Sequence, residues 1–426
     1  MHPLRANARV LSASLAGTAV EFYDFYIFGT AAALVFGPLF FPSSSPEAQL
    51  LLAYATFGVA FVARPVGAIA FGHFGDRIGR KSTLVASLLI MGGSTVAVAL
   101  LPTYAMAGTL APLLLCVLRF GQGFGLGGEW SGAALLAVEN APEGWKGRFG
   151  CAPQLGAPLG FIASNGLFLL LGLWLSPAEF AAWGWRIPFA LSVVLVGIGL
   201  WVRLRLAETP AFREALAHAP PPRLPLGEVL RCDWRAVLSG TLGVIACFAV
   251  FYIATAFALG YATTTLGIAR ERMLALQLGA IVFMAVGIVT AGYLSDRWSP
   301  RRVLMIGCLA TVLAGSLLPA MVTAGDQPGL FAWLALALTA MGLVYGPLGA
   351  WLPSLFAARV RYTGTGIAFN VGGVIGGGLT PLAAQWLASG GVVGAGRGLA
   401  PVGLYLASAG VLSLLGLFAV RPRASG

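Results

Sequence analysis

Long apolar runs and short polar segments alternate along the whole chain. Each apolar run is about 20 residues long, which is enough for a helix to cross a hydrocarbon core of ~30 Å. The pattern predicts twelve membrane-spanning helices joined by short connections, and therefore an all-α membrane protein. The predicted spans are residues 11–36, 49–72, 83–101, 108–138, 150–173, 185–205, 236–260, 273–294, 302–322, 329–352, 363–388 and 398–420.

One polar segment occurs twice, 220 residues apart. Residues 72–84 read GHFGDRIGRKSTL and residues 292–304 read GYLSDRWSPRRVL, and each copy lies between two apolar runs. A charged hairpin repeated in matching halves of an apolar chain indicates a duplicated helix bundle, which is typical of secondary transporters. We therefore expect a six-helix bundle at 1–206, a Pro-rich cytoplasmic linker at 207–235 and a second six-helix bundle at 236–426.

Composition and charge agree with a membrane location. The chain is 58% hydrophobic and 10% charged, whereas soluble domains carry about 25% charged residues. If both termini are cytoplasmic, 20 of the 26 Lys and Arg residues fall in cytoplasmic segments, as the positive-inside rule requires. The formal net charge of +11 then reflects topology and argues against nucleic acid as a partner. We expect a monomer among the lipids of a bacterial inner membrane.

Five ionisable residues fall deep within predicted spans of the N-terminal half: Glu21, Asp24, Arg64, Arg119 and Glu129. Charges at membrane depth are costly and mark functional sites. Three carboxylates against two arginines leave one negative charge unless a carboxylate binds a proton, and protonation would free an arginine for a substrate carboxylate. We predict proton coupling at Asp24 with Glu21 or Glu129, and anion binding by Arg119 and Arg64. A purely structural role is the alternative for Glu21 and Glu129.

An enzymatic role is not predicted. No histidine lies in a span, the five cysteines lack metal-ligand spacing, and no nucleophile elbow is present. Gly123-x-Gly125-x-x-Gly128 matches a dinucleotide fingerprint, but no strand precedes it, so these glycines are expected to let helices approach closely. We expect no cofactor and no metal. A passive channel is disfavoured by the duplicated hairpins.

The repeated hairpins are predicted to act as gates. Carboxylates and basic residues at helix ends can pair in one conformation and separate in another. The residues assigned to this role are Asp76, Arg77, Arg80, Glu139, Arg148, Asp296 and Arg297. Setting the topology is the alternative role for Arg80 and Lys81.

Several further motifs are distributed from helix 1 to helix 11. They are Glu21-Phe-Tyr-Asp24, Arg64-Pro-Val-Gly67, Gly127-Gly-Glu129-Trp130, Gly184-Trp-Arg186-Ile-Pro-Phe, Glu208-Thr-Pro-Ala-Phe212 and Arg359-Val-Arg361-Tyr-Thr-Gly364. Together with the two hairpins and Arg119-Phe-Gly-Gln122, they resemble the metabolite:proton symporter family of the major facilitator superfamily. That family contains permeases for shikimate, 2-oxoglutarate, citrate and proline/betaine.

The resemblance implies alternating access by two bundles and import driven by a proton gradient. It also implies that Asp24 faces Arg119 as a proton switch. Two segments depart from the family pattern. Residues 354–357 read SLFA where an acidic residue is usual, and Ser299-Pro300 replaces Gly79-Arg80 in the second hairpin. Both departures weaken the expected second charge latch.

The leading hypothesis is proton-coupled import of a small organic acid, either shikimate-like or dicarboxylate-like. The alternatives are uptake of a zwitterion such as proline or betaine, and export of a small metabolite. Besides the two arginines, the residues expected at the substrate are Tyr23, Tyr26, Gln122, Trp130, Tyr345 and Asn370.

Overall fold

The computed structural model describes residues 7–42, 44–78, 80–205, 225–323, 326–357, 360–390 and 398–419, without the side chains of 8–10, 13, 72–78, 80–84, 136, 202–205 and 225. Twelve long helices and no strand occur in this part of the chain. The helices are α1 (Ser14–Phe40), α2 (Pro46–Ile78), α3 (Arg80–Ala99), α4 (Leu110–Glu139), α5 (Lys146–Trp174), α6 (Arg186–Arg205), α7 (Trp234–Thr264), α8 (Arg270–Arg297), α9 (Pro300–Met321), α10 (Gln327–Ser354), α11 (Arg361–Ala388) and α12 (Leu399–Ala419). A short helix, Pro225–Cys232, precedes α7 at the end of the predicted linker.

Each long helix coincides with one predicted span to within a few residues. Among the described residues, ten helices are long and apolar enough to cross a membrane. An eleventh is obtained when α6 is joined to Pro177–Gly184, from which it is bent by 43°. Val85–Ala99, the part of α3 with described side chains, is a shorter apolar helix. The prediction of an all-α membrane protein is therefore confirmed.

The two halves of the chain repeat one packing pattern. In the first half α1 packs on α5, α2 on α4, and α3 on both α4 and α6. In the second half α7 packs on α11, α8 on α10, and α9 on both α10 and α12. The halves meet along α2–α11 and α5–α8, which are equivalent pairs under the same repeat. The internal repeat seen in the hairpin sequences is thus present in the helix packing as well.

Glycines of α4 allow its close approach to α2 and α3. A Cβ atom at Gly123 would lie 2.0 Å from the Ala60 carbonyl oxygen of α2. A Cβ atom at Gly125 would lie 2.7 Å from the Ser87 carbonyl oxygen of α3. No side chain larger than hydrogen fits at these separations, so this glycine motif forms a packing surface between membrane helices.

Candidate functional site

A small cavity lies between the two halves of the molecule. It is enclosed by side chains of α1, α2, α4, α7, α10 and α11, and eight of them are aromatic. The lining residues are Glu21, Phe22, Tyr26, Arg64, Leu126, Trp130, Cys247, Phe248, Phe251, Tyr252, Met341, Tyr345, Phe369 and Asn370. The free volume is about 20 Å³, which accommodates about one water molecule. The structure therefore shows the cavity in a closed state.

The structure divides the predicted site residues into two groups. Those at the cavity are Glu21, Tyr26, Arg64, Trp130, Tyr345 and Asn370, and those away from its lining are Tyr23, Asp24, Arg119, Gln122 and Glu129. The Tyr23 hydroxyl donates to the Pro188 carbonyl oxygen of α6 at 2.9 Å. The Gln122 amide donates to the Thr95 hydroxyl of α3 at 2.8 Å. Tyr23 and Gln122 are therefore engaged within the N-terminal half.

Arg64 is the cation of the cavity. Its guanidinium carbon lies 4.4 Å from the centre of the Phe25 ring and 4.7 Å from that of Phe61. The side chain is buried, and its Nε atom has no hydrogen-bond partner among the described residues. Glu21 and Tyr345 lie close enough to interact with it electrostatically. Arg64 can therefore offer an N–H group to a bound anion.

Arg119 is held in an aromatic cage rather than by a carboxylate. Its guanidinium carbon lies 4.4 Å from the ring centre of Phe25, 4.0 Å from that of Phe28 and 4.9 Å from that of Phe57. Nη1 donates to the Gln122 side-chain oxygen at 2.9 Å, whereas Nε and Nη2 have no hydrogen-bond partner in the part of the chain that the structure describes. Aromatic faces compensate part of the cost of burying a cation. Arg119 is not among the residues that line the cavity.

Asp24 is buried beside a second carboxylate. Its side chain is 2% exposed, and neither carboxyl oxygen has a hydrogen bond of good geometry, although the Ser192 hydroxyl lies close by. Glu129 is near enough to act on Asp24 electrostatically and accepts a hydrogen bond from the Ser87 hydroxyl at 2.8 Å. The expected Asp24–Arg119 ion pair is not formed in this structure, because phenyl rings and Gln122 surround the guanidinium.

Helices α1 and α7 widen into π turns at equivalent positions of the repeat. The turn Ala32–Phe36 in α1 and the turn Ile253–Phe257 in α7 begin 221 residues apart. A π turn disturbs the regular i→i+4 ladder and often occurs at functional sites. The Gln277 amide of α8 donates to the carbonyl oxygens of Ala254 and Thr255 at 3.0 and 2.8 Å. It thereby stabilises the irregular turn of α7.

The π turn of α7 also accepts a hydrogen bond from the N-terminal half of the molecule. The Tyr54 hydroxyl of α2 donates to the Ala256 carbonyl oxygen at 2.6 Å, and both groups are buried. This contact joins the halves at the end of the bundle opposite the two hairpins. Sequence reasoning missed Tyr54, because nothing in an apolar run indicates where a helix will widen and offer a carbonyl.

A break in α4, nearer the hairpins, is also stabilised by hydrogen bonds from the other half of the molecule. Residues 127 and 128 form a turn between two helical stretches of α4. The Asn370 amide donates to the Gly127 carbonyl oxygen at 2.8 Å, and the Tyr362 hydroxyl donates to the Gly128 carbonyl oxygen at 2.6 Å. Both donors belong to α11, so these bonds also join the two halves.

A charged contact closes the hairpin end. The Asp296 carboxylate of α8 accepts from the backbone N–H groups of Gly147 and Arg148 at 2.6 and 3.2 Å. It also accepts from Arg148 Nε at 2.6 Å. The Arg148 guanidinium lies 3.5 Å from the Trp145 ring centre. The structure thus brings together two of the predicted gating residues, one from each half.

The other predicted gating residues are placed differently. Arg297 follows Asp296 and is exposed in the last turn of α8. Glu139 is exposed at the end of α4. The side chains of Asp76, Arg77 and Arg80 lie outside the described residues, so the first hairpin's pairing remains a prediction.

The repeated bundle around a closed, charged cavity defines a multi-pass membrane protein with the architecture of a secondary transporter. The sequence model of the Major Facilitator Superfamily matches residues 14–381, and the chain belongs to that superfamily. It is a transporter and not an enzyme.

Two relatives and one solved structure show how broad this likeness is. The chain is 46% identical to the inner membrane metabolite transport protein YhjE of Escherichia coli, over 97% of this chain and 94% of the relative. It is 39% identical to the shikimate transporter of the same organism, over 89% and 87% of the two chains. A crystal structure of a D-xylose-proton symporter shares the fold with a TM-score of 0.73 at 16% identity, covering 96% of each chain.

Proposed function

We propose that this protein imports a small organic acid together with protons, by alternating access of its two halves. The main observation that supports this proposal is that the N-terminal half contains two separate charged sites. Arg64 and Glu21 lie at the cavity, whereas Asp24 and Glu129 lie together away from its lining. Such an arrangement gives a substrate anion and a proton different places to bind within the N-terminal half.

Arg64 is proposed to bind the substrate carboxylate. A guanidinium offers several N–H donors in a planar fork that matches a carboxylate. Its Nε atom lacks a partner in the closed cavity, and Glu21 is its nearby counter-charge. The likeness to a shikimate transporter supports an acid as the substrate.

Asp24 is proposed to carry the coupled proton. A buried carboxylate near another negative charge is less costly when it binds a proton. Asp24 is buried within electrostatic range of Glu129, and Phe25 next to Asp24 contacts both arginines. A change of charge at Asp24 can therefore be transmitted through Phe25 to Arg64. Glu129 is bonded to Ser87, which favours Asp24 as the group that changes its charge.

Alternating access requires each end of the molecule to open in turn. The hairpin end is closed by Asp296 and Arg148, and the opposite end by Tyr54 and the Ala256 carbonyl. We propose that residues 1–206 and 236–426 move as two units and break these contacts alternately. We also propose that the protein is a monomer with both termini in the cytoplasm, which makes the hairpin end the inner gate.

A zwitterion is the second candidate substrate. The cavity contains one cation and one carboxylate, Arg64 and Glu21, and these could meet opposite charges on one molecule. Net charge movement distinguishes the two candidates, because a monovalent anion carried with one proton moves no net charge, whereas a zwitterion carried with one proton moves a positive charge.

Uptake into proteoliposomes tests the proposal. Labelled shikimate, 2-oxoglutarate, citrate and proline are offered with and without an inward proton gradient. The expected result is accumulation of an acid that collapses with a protonophore and is lost in Asp24→Asn. Glu143→Gln, at an exposed carboxylate, is the matched control and should transport normally. Equal accumulation of the substrate with and without the proton gradient would contradict the proposal.

A further inference from the structure

We propose that the cavity selects acids with a single carboxylate and a planar or cyclic body, and rejects dicarboxylates. This inference rests on the proposed function and narrows it, because both shikimate-like and dicarboxylate-like acids fit the sequence. The inference is supported by the charges of the side chains that line the cavity and by the flat shapes of the aromatic side chains among them.

The cavity has one cation for a substrate to use. Of its fourteen lining residues only Arg64 is basic, and Glu21 is the one acid. A first carboxylate can bind Arg64. A second carboxylate on the same molecule would meet aromatic rings, the Asn370 amide or Glu21 itself.

Arg119 cannot supply a second positive site in this arrangement. It is 0% exposed and lies outside the lining, with three phenyl rings against its guanidinium. Arg148, nearer the hairpins, is bound to Asp296. An unpaired charge in a buried site is strongly destabilising. A second carboxylate is therefore expected to weaken binding by at least about 100-fold.

The aromatic lining offers flat faces to the body of the substrate. The Trp130 and Phe369 rings lie parallel, with centres 3.6 Å apart and an angle of 2° between their planes. Trp130 belongs to α4 and Phe369 to α11, so the two halves meet through this stack. When the halves separate, each ring presents a face on which a flat molecule can stack.

Polar groups around the stack complete the site. The Tyr345 hydroxyl is buried at the cavity and makes no hydrogen bond of good geometry with the described residues. The Asn370 amide is bonded to the Gly127 carbonyl across the two halves and becomes available when they part. A ring with one carboxylate can thus stack on Trp130 while its charge reaches Arg64.

Three planar six-membered-ring probes test the inference. Benzoate has one carboxylate, terephthalate has a second one, and N-methylnicotinate has a carboxylate and a fixed positive charge. Binding to the purified full-length protein in lipid nanodiscs is measured by calorimetry at one pH. We expect benzoate to bind at least about 100-fold more tightly than terephthalate, and more tightly than N-methylnicotinate. Arg64→Gln should abolish benzoate binding, and Arg231→Gln, at an exposed arginine with no assigned role, should not.

Four results would overturn the inference. Equal binding of terephthalate would show that a second carboxylate finds a partner. Preferred binding of N-methylnicotinate would show a site for zwitterions, and binding of none of the three would show that the site does not accept a planar ring acid. Proton-driven uptake of citrate or 2-oxoglutarate in proteoliposomes would also overturn it, while leaving proton-coupled import of an organic acid intact. A thermal unfolding scan of each variant establishes that it is folded.

Discussion

Replacing Asp296 by Asn should open the hairpin end of the molecule. The carboxylate accepts three hydrogen bonds from the start of α5, two of them on Oδ2 from Arg148. Asn keeps one acceptor oxygen but turns an amide N–H₂ group towards the Arg148 donors. A hydrogen bond to a charged group contributes about 1.5–3 kcal/mol. Because the Arg148 side chain is 29% exposed, solvent screening reduces the net loss to roughly 2 kcal/mol.

A loss of that size changes the conformational equilibrium by roughly 30-fold, since each 1.4 kcal/mol is a factor of about ten. The change is measured by electron spin resonance between labels at Glu143→Cys and Trp298→Cys, two exposed positions on either side of the contact. The five native cysteines are first replaced by serine. In Asp296→Asn the distance distribution should move towards longer separations. In Arg297→Gln, which alters the neighbouring exposed charge, it should not move.

An unchanged distribution in Asp296→Asn would refute this reasoning. It would mean that the apolar contacts between α5 and α8 hold the hairpin end closed and that the charged contact adds little. A shift of equal size in Arg297→Gln would mean that total charge at this end matters, rather than the bonds made by Asp296.

Three other substitutions test separate parts of the structure. Gly123→Ala should prevent close packing of α4 on α2 and sharply reduce the yield of folded protein. Gly93→Ala is the control and should not reduce the yield, because a Cβ atom there meets nothing within 4 Å. The yield of folded protein is measured by size-exclusion chromatography of detergent extracts. Tyr54→Phe leaves a buried carbonyl without its donor at a cost of about 1–3 kcal/mol, so spin labels across the end opposite the hairpins should report more opening. Phe25→Leu removes a ring that contacts two arginines, and each cation–π contact contributes about 0.5–2 kcal/mol. It should therefore lower the midpoint of thermal unfolding more than Phe25→Tyr does. Equal midpoints for the two variants would show that the ring face contributes nothing to stability.

The helices and their duplication could be predicted from the sequence because both leave linear signals. A span requires an apolar run of fixed length, and the hairpin repeat lies in consecutive residues. The same reasoning could not predict the π turns of α1 and α7 or the break in α4. These features depend on which side chain of a neighbouring helix is placed to serve an irregular carbonyl, as Tyr54 and Gln277 do.

The candidate site was predictable in its residue types but not in its arrangement. Charges at membrane depth drew attention to Glu21, Asp24, Arg64, Arg119 and Glu129, and the structure buries all five side chains. Their depth along a helix can be counted, but the direction that each side chain faces depends on the rotation and bending of the helices. Arg64 and Arg119 therefore looked interchangeable in the sequence, although one lines the cavity and the other lies within an aromatic cage.

Asp24→Asn, assayed in two transport modes, tests the central claim most directly. Proteoliposomes carrying the variant are compared with wild type and Glu143→Gln for accumulation driven by a proton gradient, and for exchange of labelled against unlabelled substrate without one. Exchange requires the moving halves and the substrate site but no net proton transfer. We predict that Asp24→Asn loses accumulation and retains exchange, while Glu143→Gln retains both. Accumulation by Asp24→Asn at the wild-type level would contradict the account, because the coupled proton would then be carried elsewhere.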